Sequence, residues 1–117
     1  MADMGKPHGF PKEEKIRARS EFDRVFQEGR RLAEGPVLAR YVPNGLQFTR
    51  MAVAVPNKFG KAAKRNRARR LLKEAYRLHK QEMPPGLDLI LLPGRGWHSP
   101  SLAELEAVIC RIAARLK

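Results

Sequence analysis

The stretch "MAVAVPNKFGKAAKRNRARRLLKEAYRLHKQEMPPGLDLILL", residues 51–92, decides the fold. Residues 51–55 are apolar and β-rich, as a central strand requires. Pro56 and Gly60 bracket a turn. Residues 61–81 then read as one long helix, stopped by Pro84, Pro85 and Gly86. "LDLILL" follows as a buried strand. A strand, a helix and a strand at this spacing make a parallel crossover, which the general rule takes as right-handed.

The helix has three kinds of surface. With residues about 100° apart around the axis, Ala68, Leu71, Leu72, Ala75 and His79 share one side, with Tyr76 and Leu78 at its margins. That side is expected on the sheet. Asn66, Arg70, Lys73 and Arg77 line the opposite side. Lys61, Lys64 and Arg65 fall at angles of the packed side, yet burying an unpaired charge is very costly. The first turns are therefore expected to overhang the sheet edge or to line a groove. The positive pole of the helix dipole lies at the same end and favours anions.

Working outward, "SEFDRVFQEG" (20–29) reads as a short helix, with Ser20 as N-cap, Asp23 three residues on and Gly29 as the stop. Phe22, Val25 and Phe26 form its apolar stripe. "RRLAEG" is a short strand or irregular, "PVLARYV" alternates as a strand, and "PNG" (43–45) signals a hairpin. Beyond residue 92, "PGRGWHSP" is a loop. Trp97 and His98 there either cap the core, the favoured reading, or touch a partner. Ser101 caps a last helix with Leu102, Leu105, Val108, Ile109 and Ile112 on one side. The class is α+β, one domain over 13–117, preceded by a flexible extension over 1–12.

Composition points to a polyanion. The chain of 117 residues carries a net charge of +12, and residues 35–73 hold ten Lys/Arg and no acid. A basic surface serving only solubility does not require that segregation. Arg outnumbers Lys by 15 to 9, which suits bidentate phosphate contacts. A solvated basic face, a localisation signal and a membrane-surface patch are the blander readings of the same run. Asn66 either serves the helix N-terminus or offers an amide to a base, a 2′-hydroxyl or a metal-bound water. The single cysteine, Cys110, reads as a buried helical residue and leaves no multi-cysteine metal framework. With no apolar run of spanning length and no signal-peptide core, a cytoplasmic location is expected.

Two blocks, "NKFGKAAKRNRARRLLKEAYR" and "RARSEFDRVFQEGRRL", together resemble the bacterial ribonuclease P protein subunit. The Arg-Asn-Arg core is Arg65, Asn66 and Arg67. The resemblance implies an α-β-β-β-α-β-α order, one four-stranded sheet with a left-handed βαβ crossover, and a fold shared with a ribosomal protein domain. It implies a subunit of an endoribonuclease that binds the catalytic RNA and the 5′ leader of precursor tRNA. Catalysis then belongs to the RNA, with Mg2+ held mainly by that RNA and the substrate, and no catalytic residue or metal ligand is expected in the protein. A monomer or weak oligomer is expected without RNA.

Carried over by position, the catalytic-RNA face is Lys58, Lys61, Lys64, Arg65, Asn66, Arg67, Arg69, Arg70 and Lys73. The leader-binding cleft is Arg17, Arg19, Phe22, Phe26, Arg40 and Val42. From spacing alone Phe22 and Phe26 are core residues; the resemblance favours partial exposure in the cleft. The family often has an aromatic near Arg40, whereas here Tyr41 is one position off and faces the other side by strand alternation.

Two other functions were weighed against this one. A ribosomal or general structural RNA-binding protein fits the composition equally well and is disfavoured by the two motif blocks. A self-sufficient enzyme lacks parts: His8, His79, His98 and Asp88 form no nucleophile, carboxylate-pair or metal-ligand pattern.

Overall fold

In the computed structural model, which describes residues 11–117, the chain forms a four-stranded sheet with a helix on one face and two on the other. In order come α1 (Arg19–Glu28), β1 (Arg30–Glu34), β2 (Val37–Pro43), β3 (Arg50–Val53), α2 (Ala62–His79), β4 (Leu87–Pro93) and α3 (Leu102–Leu116). Short 3-10 turns cover Lys12–Glu14, Asn57–Phe59 and Lys80–Glu82. The α-β-β-β-α-β-α order is the expected one. All but Pro11 and Lys12 of the expected extension lies outside the described residues.

The sheet order is β1-β2-β4-β3, with β3 parallel to β4 and the other pairs antiparallel. This corrects two expectations. "PNG" does not close a hairpin between β2 and β3, because β4 lies between them. The hairpin is instead β1–β2, where Glu34 pairs with Val37 across Gly35 and Pro36, and Gly35 takes φ +55°. Nor is β3 a central strand. It is an edge strand, apolar because Met51 and Val53 pack toward the larger cluster and Ala52 toward the α1 side, and part of its free edge is covered where Ile16 N donates to Met51 O at 3.0 Å. Asn44 of "PNG" ties down its own loop: Nδ2 donates to Phe48 O, Leu87 O and Asp88 Oδ1, and Oδ1 accepts from Leu46 N.

Strand alternation splits the core in two. Val37, Ala39, Met51, Leu89 and Leu91 face α2 and α3, where Leu72, Ala75, Tyr76, Leu105, Ile109 and Ile112 complete the larger cluster. Val42 and Ile90 face α1, with Ile16 and Val25. Tyr76, expected at a margin, is buried, and Leu71, expected within the packed side, is half-buried against the same cluster. Ser101 caps α3 as expected, its Oγ accepting from Glu104 N at 3.1 Å.

The start of α1 differs from expectation. Its N-cap is Ala18, and Ser20 lies inside the helix. Ala18 offers no cap oxygen, and Glu21 reaches back to satisfy the amides before the helix, accepting from Ala18 N (3.2 Å) and Arg17 N (3.4 Å). Gly29 does stop α1, but with an extended backbone. A Cβ there would sit 2.2 Å from Val25 O and 2.9 Å from Tyr41 O, so glycine is required by close approach.

Candidate nucleic-acid interface

The first surface is built on the opening turns of α2. Lys61 stands at the N-cap with no side-chain cap bond, and the first turn carries no acid. Lys58, Lys61, Lys64, Arg67, Arg70 and Lys73 are exposed, and none of them forms a salt bridge among the described residues. Acids are spent elsewhere: Glu21 and Asp88 on Arg50, Glu34 on Arg111 and Arg115, and Glu14 on Lys80.

Two members of the Arg-Asn-Arg region also shape the surface. Arg65 is half-buried and donates to Gly60 O at 2.7 Å, closing the turn that leads into the helix. Asn66 is exposed and accepts from Arg69 at 2.8 Å. It lies within α2 and makes no cap, so its carbonyl steers a neighbouring guanidinium while its amide has no partner among the described residues. Arg77, at the far end of the outward stripe, is not an available cation: Glu74 receives it through bonds of 3.0 and 2.6 Å. Lys64 lies 4.9 Å over the Phe59 ring, which meets Trp97 edge-on at 6.0 Å. Trp97 is half-buried against the larger core, as favoured, whereas His98, favoured for the same role, is exposed and does not cap it.

The second surface lies on the α1 face of the sheet. Phe22 is half-buried against Val42 and Ile90, whereas Phe26 is 39% exposed. Arg40 donates to Phe26 O at 2.6 Å and lies 5.5 Å from the centre of the Phe26 ring. Its Nε is buried with no partner among the described residues. Arg40 thus lies beside the Phe26 ring on the α1 face, while Tyr41 packs on the opposite face, as alternation requires. Arg17 and Arg19 are exposed at the start of α1. Val42 is 7% exposed and serves as floor. Arg31, which sequence reasoning missed, is exposed directly across from Arg40. Only the β1–β2 register places it there.

A buried charge network holds α1 over the sheet. Asp88, 1% exposed, accepts two bonds from Arg50 at 2.8 and 2.7 Å. Arg50 then reaches Glu21 at 2.7 Å. Burial pushes the Glu21 carboxyl up, but the Ala18 amide and Arg50 outweigh it and hold the group below its ordinary value. The backbone of Arg17 and Ala18 is thereby tied to β3 and β4. Nothing in the spacing of Glu21, Arg50 and Asp88 disclosed this triad.

Comparison with known proteins decides the family. The family model described as Ribonuclease P matches residues 10–117. The chain belongs to the ribonuclease P protein family. It is 39% identical over 84 residues to the ribonuclease P protein component of Petrotoga mobilis, covering 72% of this chain and 71% of that one. With the component of Dictyoglomus thermophilum it shares 37% over 105 residues, 88% of each chain. The solved ribonuclease P protein of Thermotoga maritima superposes with a TM-score of 0.78 at 26% identity, over 89% of this chain and 98% of that one. The chain is therefore the protein component of an endoribonuclease that works with a ribonuclease P RNA in tRNA processing. No helix among the described residues is long and apolar enough to cross a membrane.

Proposed function

We propose that this ribonuclease P protein divides its work between two surfaces. The opening of α2, from Lys58 through Lys73, lies against the ribonuclease P RNA. The cleft of Arg17, Arg19, Phe22, Phe26 and Arg40, floored by Val42, holds the single-stranded 5′ leader of precursor tRNA. Arg31 extends that cleft. The single observation carrying the reading is the set of six exposed cations at the start of α2, none paired to a carboxylate among the described residues.

The chemistry of each surface fits its RNA. Unpaired cations at a helix N-terminus meet phosphates without first giving up an internal ion pair. A half-exposed phenylalanine under a guanidinium offers a base a stacking platform in a basic groove, and such stacking contributes about 1–3 kcal/mol per base. The α2 face offers lysines, arginines and one amide, and no carboxylate for Mg2+. Mg2+ then belongs to the RNA and its substrate, where it would supply electrostatic stabilisation of the cleavage. The protein binds and orients, acting in the cytoplasm as a monomer or weak oligomer when no RNA is present.

Reconstitution tests this. The purified protein is mixed with a bacterial ribonuclease P RNA and a precursor tRNA at low Mg2+, and leader release is followed. Stimulated release is expected, and absence of stimulation overturns the proposal. Release by the protein without RNA would show that it cleaves unaided.

A further inference from the structure

At the opposite end of α2 from the basic ridge, four side chains meet. His79 ends α2, Glu82 lies in the 3-10 turn that follows, and Glu106 and Cys110 sit one turn apart on α3. His79 Nδ1 is 2.7 Å from Glu82 Oε2 and 3.4 Å from Cys110 Sγ. His79 Nε2 is 2.8 Å from Glu106 Oε1. One ring nitrogen therefore faces a thiol and a carboxylate while the other is tied to a second carboxylate. With Nε2 donating to Glu106, Nδ1 becomes a lone-pair donor to an entering cation once that cation displaces the proton Nδ1 shares with Glu82. An imidazole held from behind by a carboxylate is the usual setting of a metal-bound histidine.

The spacing comes within a side-chain rotation of a tetrahedral ion, the His79–Glu82 separation of 2.7 Å being the one that must widen. The ligand atoms of His79, Glu82 and Cys110 all lie within 4.8 Å of one another. Zinc bonds of about 2.0–2.3 Å require ligand separations of about 3.3–3.8 Å. The sulfur–nitrogen distance already falls in that range. Glu82 is exposed, so its carboxylate can shift outward by rotation alone. His79 and Cys110 are half-buried, which leaves an approach from solvent.

We propose that His79, Glu82 and Cys110 bind a zinc-type divalent cation, with Glu106 as the positioning residue for His79. A thiolate, an imidazole and one carboxylate select zinc or cobalt(II) over the oxygen-seeking Mg2+ and Ca2+. Three protein ligands leave a fourth position for water. Binding displaces to solvent the thiol proton of Cys110 and the proton shared by His79 Nδ1 and Glu82, and joins the end of α2 to α3. The site is independent of the RNA-binding reading.

The test uses tag-free, full-length protein stripped with a chelator and titrated with cobalt(II), then zinc. One cobalt ion per chain is expected, with a thiolate-to-cobalt charge-transfer band that zinc abolishes by displacement, and zinc should raise Tm. Cys110→Ser should remove the band. Glu106→Gln retains all three ligands, so it should keep the band and weaken binding about tenfold or more. Circular dichroism checks that each variant is folded; if Cys110→Ser does not fold, the parent spectrum and Glu106→Gln decide. Absence of the band in the parent protein overturns the proposal. So does zinc affinity unchanged in both Cys110→Ser and His79→Ala, which would place the ion elsewhere.

Discussion

The two ends of α2 carry the same kinds of side chain and use them in opposite ways. Over the opening turns the exposed cations form no salt bridge among the described residues. Over the last turn and the one beyond it, Arg77 is held by Glu74, His79 by Glu82 and Glu106, and Lys80 by Glu14. The sheet repeats the contrast. Arg50 is locked between Asp88 and Glu21, whereas Arg40 meets no carboxylate among the described residues, donating to Phe26 O beside a half-exposed ring. Charge content alone therefore does not single out the α2 ridge. What singles it out is that its six exposed cations form no salt bridge among the described residues, whereas Arg19 of the proposed leader cleft still meets Asp23 at 3.9 Å; a cation already paired must give up its partner before it meets a phosphate.

Substitutions can break this contrast, and the largest effect should come from the paired side. Asp88→Ala leaves Arg50 without its main partner, and removing one member of a buried pair costs about 3–5 kcal/mol, toward the lower figure here because Arg50 is partly exposed. Denaturant unfolding should show that loss, while RNA affinity of the folded protein moves less than about threefold. A fall in RNA affinity as large as that from the ridge would erase the distinction.

Reversing Arg67 and Arg70 together to Glu should do the converse. With about 1.5 kcal/mol or more lost per charge-assisted contact, affinity for ribonuclease P RNA should fall roughly a hundredfold. Unfolding free energy should stay within about 0.5 kcal/mol. The plot of log affinity against log salt should also become shallower.

Phe26→Ala sharpens the comparison between the two surfaces. Affinity for precursor tRNA should fall about fivefold to a hundredfold, as one lost stacking contact of about 1–3 kcal/mol implies. Mature tRNA, which has no leader, should bind unchanged. Equal losses with both substrates would show that Phe26 supports the fold and touches no leader.

The smallest effect is one of pH. Glu21 has a lowered carboxyl pKa in the folded protein, burial being outweighed by the Ala18 amide and Arg50. Its contribution is thus present above the unfolded pKa and lost as pH falls through the folded one. Glu21→Gln should flatten the acid limb of the stability curve by about 0.5–1 kcal/mol, the size of a partly exposed ion pair. An unchanged acid limb would mean that Arg50 depends on Asp88 alone.

Much of this was legible locally. The 3.6-residue period placed Ala68, Leu72 and Ala75 in the core and Asn66 and Arg70 outside it. Alternation placed Tyr41 opposite Arg40. The hairpin at 43–45 misled because "PNG" carries strong turn chemistry whatever strand comes next, and strand order is a long-range property. Ser20 misled because α1 opens earlier, after Ala18, where Glu21 reaching back to the Ala18 amide fixes the start of the helix without a cap side chain.

By itself the sequence determined the element order apart from β1, the buried faces of α2 and α3 and the acid-free basic segment, because period and composition act between near neighbours. The two motif blocks also disclosed the family. Only the tertiary structure decided that β4 separates β2 from β3 and that Arg31 stands across from Arg40. It also decided that Glu21, Arg50 and Asp88 form one network, and that His79 meets Cys110 from 31 residues away. Those are pairings between distant parts of the chain, and packing of the two helix layers on a single sheet is what brings them within bonding distance.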